Sequence, residues 1–279
     1  MSLCPSINHP EMVTNPLEST NTTDGVVELI DRHDREILLN RESFSRKPIL
    51  RNVYRDLYGT ASRWLPGETG KRTVVEIGSG MANVRQVIPD CITTDLFPNE
   101  GIDRVEDAYA LSFEDESVDG FLLLDVFHHL RYPGTALRGM ERCLRVGGRI
   151  ILLEPDMSLL GRLVYGHFHP EPLGLEDTLQ WHAPEAETLA KGGPGYYAAQ
   201  GNAKRVFVDG EGLEQIAPLR VRQISRIASL SYVASGGFSG PQLYPTSCYG
   251  LMRWIDRIAG LFPSLFSTRL LVVLEKIPA

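Results

Sequence analysis

From residue 72 onward, short apolar runs alternate with amphipathic stretches of helical spacing, and no other feature of the chain limits its fold as much. Strands are predicted at 73–77, 92–95, 103–106, 118–125 and 149–154, with a helix over 133–144 before the fifth. The fourth strand contains the run FLLL, polar only at its ends, as a strand covered on both faces must be. Such a succession implies a parallel sheet with helices on both faces. The 133–144 helix carries Ala136, Leu137, Met140 and Leu144 on one face, and Gly147-Gly148 is expected to close it.

The flanks extend this unit into one expected domain over 1–279. Residues 1–25 are polar and read as a flexible tail. Residues 26–71 read as a helical extension, with helices over about 26–40 and 47–64. In the second, Ile49, Leu50, Val53, Tyr54, Leu57, Tyr58, Ala61 and Trp64 share a face that either packs a core or caps a site. Residues 72–155 form the alternating half, whose strand-end loops would bind a ligand. Residues 156–219, rich in Pro, Gly, His and aromatics, read as an inserted lid. Residues 220–279 supply a strand at 221–233, a helix within 241–262 and a last strand at 269–277. On that helix Trp254, Ile255, Ile258, Leu261 and Phe262 form either a core stripe or an exposed contact patch.

Charge and cysteine usage remove several functions. Lys and Arg total 28 against 35 Asp and Glu, a net charge of −7, which offers no footprint for a nucleic-acid backbone. Only Arg253 and Arg257 add positive charge near the apolar helix, so contact with an anionic membrane surface would be weak. No apolar run approaches the ~18 residues of a membrane span. The N-terminus lacks a basic start and apolar core, so a cytoplasmic location is expected. The four cysteines form no CxxC pair, and no metal is expected in the site. The composition leaves the oligomeric state open.

The chemistry concentrates in VVEIGSG, residues 74–80. A strand ends in Glu76 and enters a turn whose Gly78 and Gly80 flank Ser79 and let the backbone approach a ligand. In open α/β sheets ligands bind beyond the carboxyl ends of the strands. Asp95 ends the second strand and could accept hydrogen bonds from two ribose hydroxyls. Asp107 follows the third and could accept one from an adenine amino group, and Asp125 ends the fourth. Each acid could instead cap the element after it; the ordered set favours a nucleoside. A dinucleotide fits less well, because Asn83 stands where its fingerprint has a last glycine and Glu76 would crowd a pyrophosphate.

The segments VVEIGSG, TTDLF, DAYALSFEDESVDGFLLLDVFHHL and LRVGGRIILLEP resemble the class I S-adenosylmethionine-dependent methyltransferases of the type 11 small-molecule group. The resemblance implies a doubly wound, mostly parallel seven-stranded α/β sheet, with LLVVLEK as its final strand. It implies S-adenosyl-L-methionine as cofactor. Glu76, Gly78, Ser79 and Gly80 would lie beside the methionine part, Asp95 and Leu96 at the ribose, Asp107 and Ala108 at adenine, and Asp125 and Val126 near the methionine end. Ala82 replaces a third glycine found in many members. The flanks EPDMSLLGRLVYGHFHPEP and SYVASGGFSGPQLYP are similar to a branch found with surface-polysaccharide genes, which implies a small-molecule or sugar-linked acceptor.

Methyl transfer from a sulfonium needs alignment and exclusion of water, and a hydroxyl acceptor gains from a base. The candidate bases are His128, His129, Glu154, His167 and His169, with His182 a weaker one. Glu154 ends the fifth strand and is expected at the mouth of the site. His167 and His169 are two apart, so an extended segment would put both on one side, and with Glu171 or Asp156 nearby they offer nitrogen and oxygen donors of the kind metals use. The expected activity is O-methylation. The other class of function is a catalytically idle protein that keeps the fold and binds the cofactor.

Overall fold

The computed structural model describes residues 23–184 and 197–278, so most of the expected tail and part of the expected lid lie outside the described residues. Two helices come first, α1 over Thr23–Arg46 and α2 over Pro48–Ser62. The strands are β1 Val74–Ile77, β2 Ile92–Asp95, β3 Arg104–Val105, β4 Val118–Leu124, β5 Leu144–Pro155, β6 Leu219–Ile227 and β7 Arg269–Lys276. They form one seven-stranded sheet in the order β3-β2-β1-β4-β5-β7-β6. β1 to β5 run parallel, while β7 is antiparallel to both β5 and β6. This is the doubly wound, mostly parallel sheet that the resemblance implies.

Helices cover both faces. On one, α3 (Pro133–Cys143) lays Ala136, Leu137 and Met140 against Phe121, Ile150 and Leu152. On the other, Val53, Tyr54, Leu57 and Tyr58 of α2 pack on Val74, Leu122, Ile151 and Leu153. Alternate residues of β4 and β5 thus serve opposite faces, which is why those strands read as unbroken apolar runs. Strand order reverses between β1 and β4, and the loops leaving their carboxyl ends diverge there to open a crevice.

Two boundaries differ from expectation, while the C-terminal helix falls within its expected 241–262. Gly147-Gly148 does not close α3: the chain passes from Cys143 straight into β5, and residues 145–148 bulge out between the Val118–Leu144 and Gly120–Arg149 pairs. β6 stops at Ile227, short of residue 233, because a short helix, Leu230–Ala234, forms next. Asp256 anchors it, accepting the Ser231 N–H at 3.0 Å and the Ser231 hydroxyl at 2.6 Å. The C-terminal helix runs over Tyr249–Ala259, and its stripe is not core: Trp254 is 57% exposed and Leu261 beyond it 74%.

Candidate active site

The glycine turn after β1 is built for close approach. Gly78 has φ +68°, and a Cβ on it would lie 2.6 Å from Val126 Cγ2. Ser79 ties the turn to β2, donating its N–H to the Thr94 carbonyl at 2.8 Å. Beneath the turn Glu76 is buried, its Oε1 accepting the Tyr58 hydroxyl at 2.7 Å. Its Oε2 has no hydrogen-bond partner among the described residues. Burial pushes the Glu76 pKa up to about 8 against the hydrogen bonds from Tyr58 and Ser79, which pull it down.

A cavity of about 260 Å³ opens beside this turn. Gly78, Ser79 and Gly80 form one wall, and Asp125, His128, His129, His169, Glu171 and Arg269 line the rest. Asp125 lies just past β4 at φ +58°, paired with the guanidinium of Arg269. Arg269 is buried and stacks on Tyr232, 4.3 Å from the ring centroid. Tyr54, Tyr58, Tyr165 and Tyr232 add a ring of hydroxyl-bearing aromatics.

The remaining expected cofactor residues lie outside this lining. Asp95 is largely covered by α1. It accepts the Gly80 N–H at 2.9 Å and the Leu96 N–H at 2.7 Å, and His33 Nε2 lies 3.5 Å from its Oδ1. The Asp95 hydrogen bond raises the His33 pKa above the ordinary value, against burial. Asp107 accepts the Tyr109 N–H at 2.8 Å, a local turn contact, with Ala108 beside it half-buried against the core. Val126 lies under Gly78.

The candidate bases separate clearly. Glu154 does not stand at the mouth. It is fully buried and accepts the N–H groups of Val126 at 2.9 Å, Phe127 at 2.8 Å and His128 at 3.3 Å, together with His128 Nδ1 at 2.7 Å. A carboxylate at a strand end is drawn under the next turn when that turn presents unpaired N–H groups, as this one does. Burial opposes charge on His128, but Glu154, Glu171 and Asp125 outweigh it and push the pKa up to about 10, so the metal-free ring is a poor base at neutral pH. His129 behaves oppositely: burial, then the neighbouring His128, lowers its pKa. Its Nδ1 lies 2.9 Å from the Tyr197 carbonyl, which fixes the proton there and turns a basic Nε2 toward Glu171.

His167 and His169 do not act as a pair. Helix α4, Leu159–His167, continues through the first and leaves it exposed, while the chain turns at Phe168 and brings His169 into the cavity. Burial lowers the His169 pKa. His182 is exposed beside the buried Trp181. The residues that sequence reasoning passed over are Arg269, Gln200, His33, Tyr165 and Tyr232, while Tyr54 and Tyr58 lie on the α2 face expected either to pack a core or to cap a site. Arg269 had a signal: it is the charged first residue of the otherwise apolar strand RLLVVLEK, and antiparallel pairing with Pro155 carries that end to the crevice.

Residues 59–152 match the model of a family described as a methyltransferase domain. No curated protein matches the chain. Among solved structures, the chain is similar to one from the complex between a Haloferax volcanii methyltransferase activator and a methyltransferase. The two share 17% identity and a TM-score of 0.52 over 90% of this chain and 98% of that one. It is also similar to a Thermotoga maritima protein described as a possible histamine N-methyltransferase, at 15% identity and a TM-score of 0.43 over 91% of this chain and 100% of that one. A third is a Streptomyces coelicolor geranyl diphosphate C-methyltransferase, at 10% identity and a TM-score of 0.45 over 85% of this chain and 84% of that one.

Proposed function

We propose that this chain, a class I S-adenosylmethionine-dependent methyltransferase by its fold and by the domain over residues 59–152, methylates a hydroxyl of a small-molecule or sugar-linked acceptor. When bound, S-adenosylmethionine supplies a methyl group already activated on a sulfonium. The observation that carries the reading is the cavity between the glycine turn and the imidazole wall: one side is backbone built for a ligand, the other is polar and basic.

The chain's own residues fit such a donor. The unpartnered Glu76 Oε2 under the glycine turn is a buried polar atom that a polar group of the donor would satisfy. Asp125 places a carboxylate on the cavity wall where a positively charged group gains from it. Asp95 would receive the ribose, with Leu96 beside it, once α1 shares the carboxylate now held with His33. Asp107 and Ala108 would take the adenine and Val126 would support the turn. Residues from the expected lid, Tyr165, His169 and Glu171, close the acceptor side and exclude water.

Proton handling falls to His129. Its neutral Nε2 would take the acceptor's hydroxyl proton as the oxygen's electron pair forms the new bond to carbon and the carbon–sulfur pair returns to sulfur. His128, held charged by Glu154, would orient the acceptor by donating. The test is release of S-adenosylhomocysteine from S-adenosylmethionine with panels of hydroxylated monosaccharides, glycosides and phenols. Turnover with one acceptor class, cut about 10²-fold or more in His129→Ala, supports the reading. Cofactor binding without turnover on any panel favours the idle protein.

A further inference from the structure

His128, His129 and Glu171 converge on one side of the cavity. One donor atom from each lies within 4.8 Å of the others. His128 Nε2 is 3.6 Å from Glu171 Oε2, and His129 Nε2 is 3.7 Å from Glu171 Oε1. These gaps exceed a hydrogen bond. They are close to the separation of about 3.4 Å between two ligands that each bind a tetrahedral zinc ion at ~2.0–2.1 Å. Among the described residues no other three His, Cys, Asp or Glu side chains bring donors together in this way.

The groups behind the rings point the same way. A metal-binding imidazole gives its other N–H to a carboxylate or a backbone carbonyl. Here both rings meet that condition, each through a different acceptor. His128 Nδ1 lies 2.7 Å from Glu154 Oε2, and His129 Nδ1 lies 2.9 Å from the Tyr197 carbonyl. Each Nδ1 thereby keeps its hydrogen, and each Nε2 is left as the coordinating atom. Glu154 also grips the backbone of the Phe127–His129 turn, so the two rings are mounted on a rigid support. His169 Nδ1, 3.7 Å from Glu171 Oε2, stands next in line. Gln200 donates to Glu171 and steadies the carboxylate.

We infer that His128, His129 and Glu171 form a site for a single zinc-type divalent ion on the acceptor side of the cavity. Two imidazole nitrogens and one carboxylate suit a borderline first-row ion over magnesium or calcium, which take oxygen donors. Three protein ligands are the number held by zinc ions that act on a substrate, where the substrate or water takes the fourth position. There the ion would bind the acceptor's hydroxyl oxygen and lower its pKa, so that the oxygen sheds its proton to water before the site closes, and His129, the base of the metal-free chain, serves as a ligand in the loaded one. This role rests on the proposed methyl transfer; the site itself does not.

The test is therefore made without donor or acceptor. The full chain is stripped with chelator and titrated with Co²⁺, followed by its visible absorption, and then with Zn²⁺ in competition. One equivalent of Co²⁺ with a tetrahedral-type band, displaced by Zn²⁺, is expected. Glu171→Gln and His129→Ala should each weaken binding at least 10-fold, with unchanged far-ultraviolet circular dichroism as evidence of folding. Failure to bind, or binding of equal strength in both folded variants, overturns the site. Should either variant not fold, Glu154→Gln serves in its place: it keeps all three ligands but loosens the His128 ring, and is expected to weaken Co²⁺ binding about 10-fold or more, with unaltered binding counting against the site. A chain that binds the ion yet turns over no acceptor keeps the site and loses the methyl-transfer reading.

Discussion

Glu76 holds a buried carboxyl with one oxygen satisfied by Tyr58 and the other without a partner among the described residues. Its folded pKa, about 8, exceeds the unfolded value of about 4.3, so the native state keeps a proton that the unfolded chain has lost. Stability therefore falls as pH rises between those two values. Glu76→Gln removes the linkage. We expect its melting temperature to match the wild type near pH 5 and exceed it near pH 8.5, by the equivalent of about 1–3 kcal/mol. Arg269 presents the opposite case. It is a fully buried cation whose charge is met by Asp125 on the cavity wall, and Arg269→Leu should cost about 1–3 kcal/mol in urea unfolding, because it removes that charge-assisted hydrogen bond and leaves the part-exposed carboxylate unpaired.

At the scale of elements, α1 is the part that decides access to Asp95, the proposed ribose acceptor. It is held there by His33 against Asp95, with Phe97 edge-on to the imidazole at 5.4 Å. The folded His33 pKa is raised, so the pair's contribution is complete below the unfolded value near 6.5 and fades as pH climbs through the folded one. Thermal melts of wild type and His33→Gln should thus differ at pH 6 and converge at pH 9. The extent of α1 was only partly readable: a helix over 26–40 is evident from spacing, but its run to Arg46 and its contact with Asp95 are tertiary. β4 and the IILL stretch of β5 were legible because burial on both faces leaves an unbroken apolar signature. Gly147-Gly148 misled because a glycine pair serves a β-bulge as well as a helix end. Glu154 misled because strand position tells which end a carboxylate occupies, not which N–H groups compete for it. The convergence of His128, His129 and Glu171 spans 43 positions, from 128 to 171, and no local pattern announces it.

For the whole molecule, the order of the sheet sets the site. The reversal between β1 and β4 opens a crevice lined by both the glycine turn and Asp125, and the β7 antiparallel insertion brings Arg269 to it. Exposed apolar side chains gather elsewhere: Leu159 and Leu163 on α4, which packs on the Pro263–Phe266 turn, and Trp254, Leu261 and Phe262 beyond it. Because these residues are largely solvated, Trp254→Ser or Leu261→Ser should change folding stability by less than about 0.5 kcal/mol, measured by denaturant titration; a core stripe would lose several times that. Everything functional depends on a nucleoside donor resting across the tips of β1, β2 and β4. Calorimetric titration of S-adenosylhomocysteine into wild type and Asp95→Ala measures this directly. A single binding site in the wild type, weakened at least 10-fold in Asp95→Ala, is the predicted result. No binding to the wild type, or equal affinity in the variant, would contradict it.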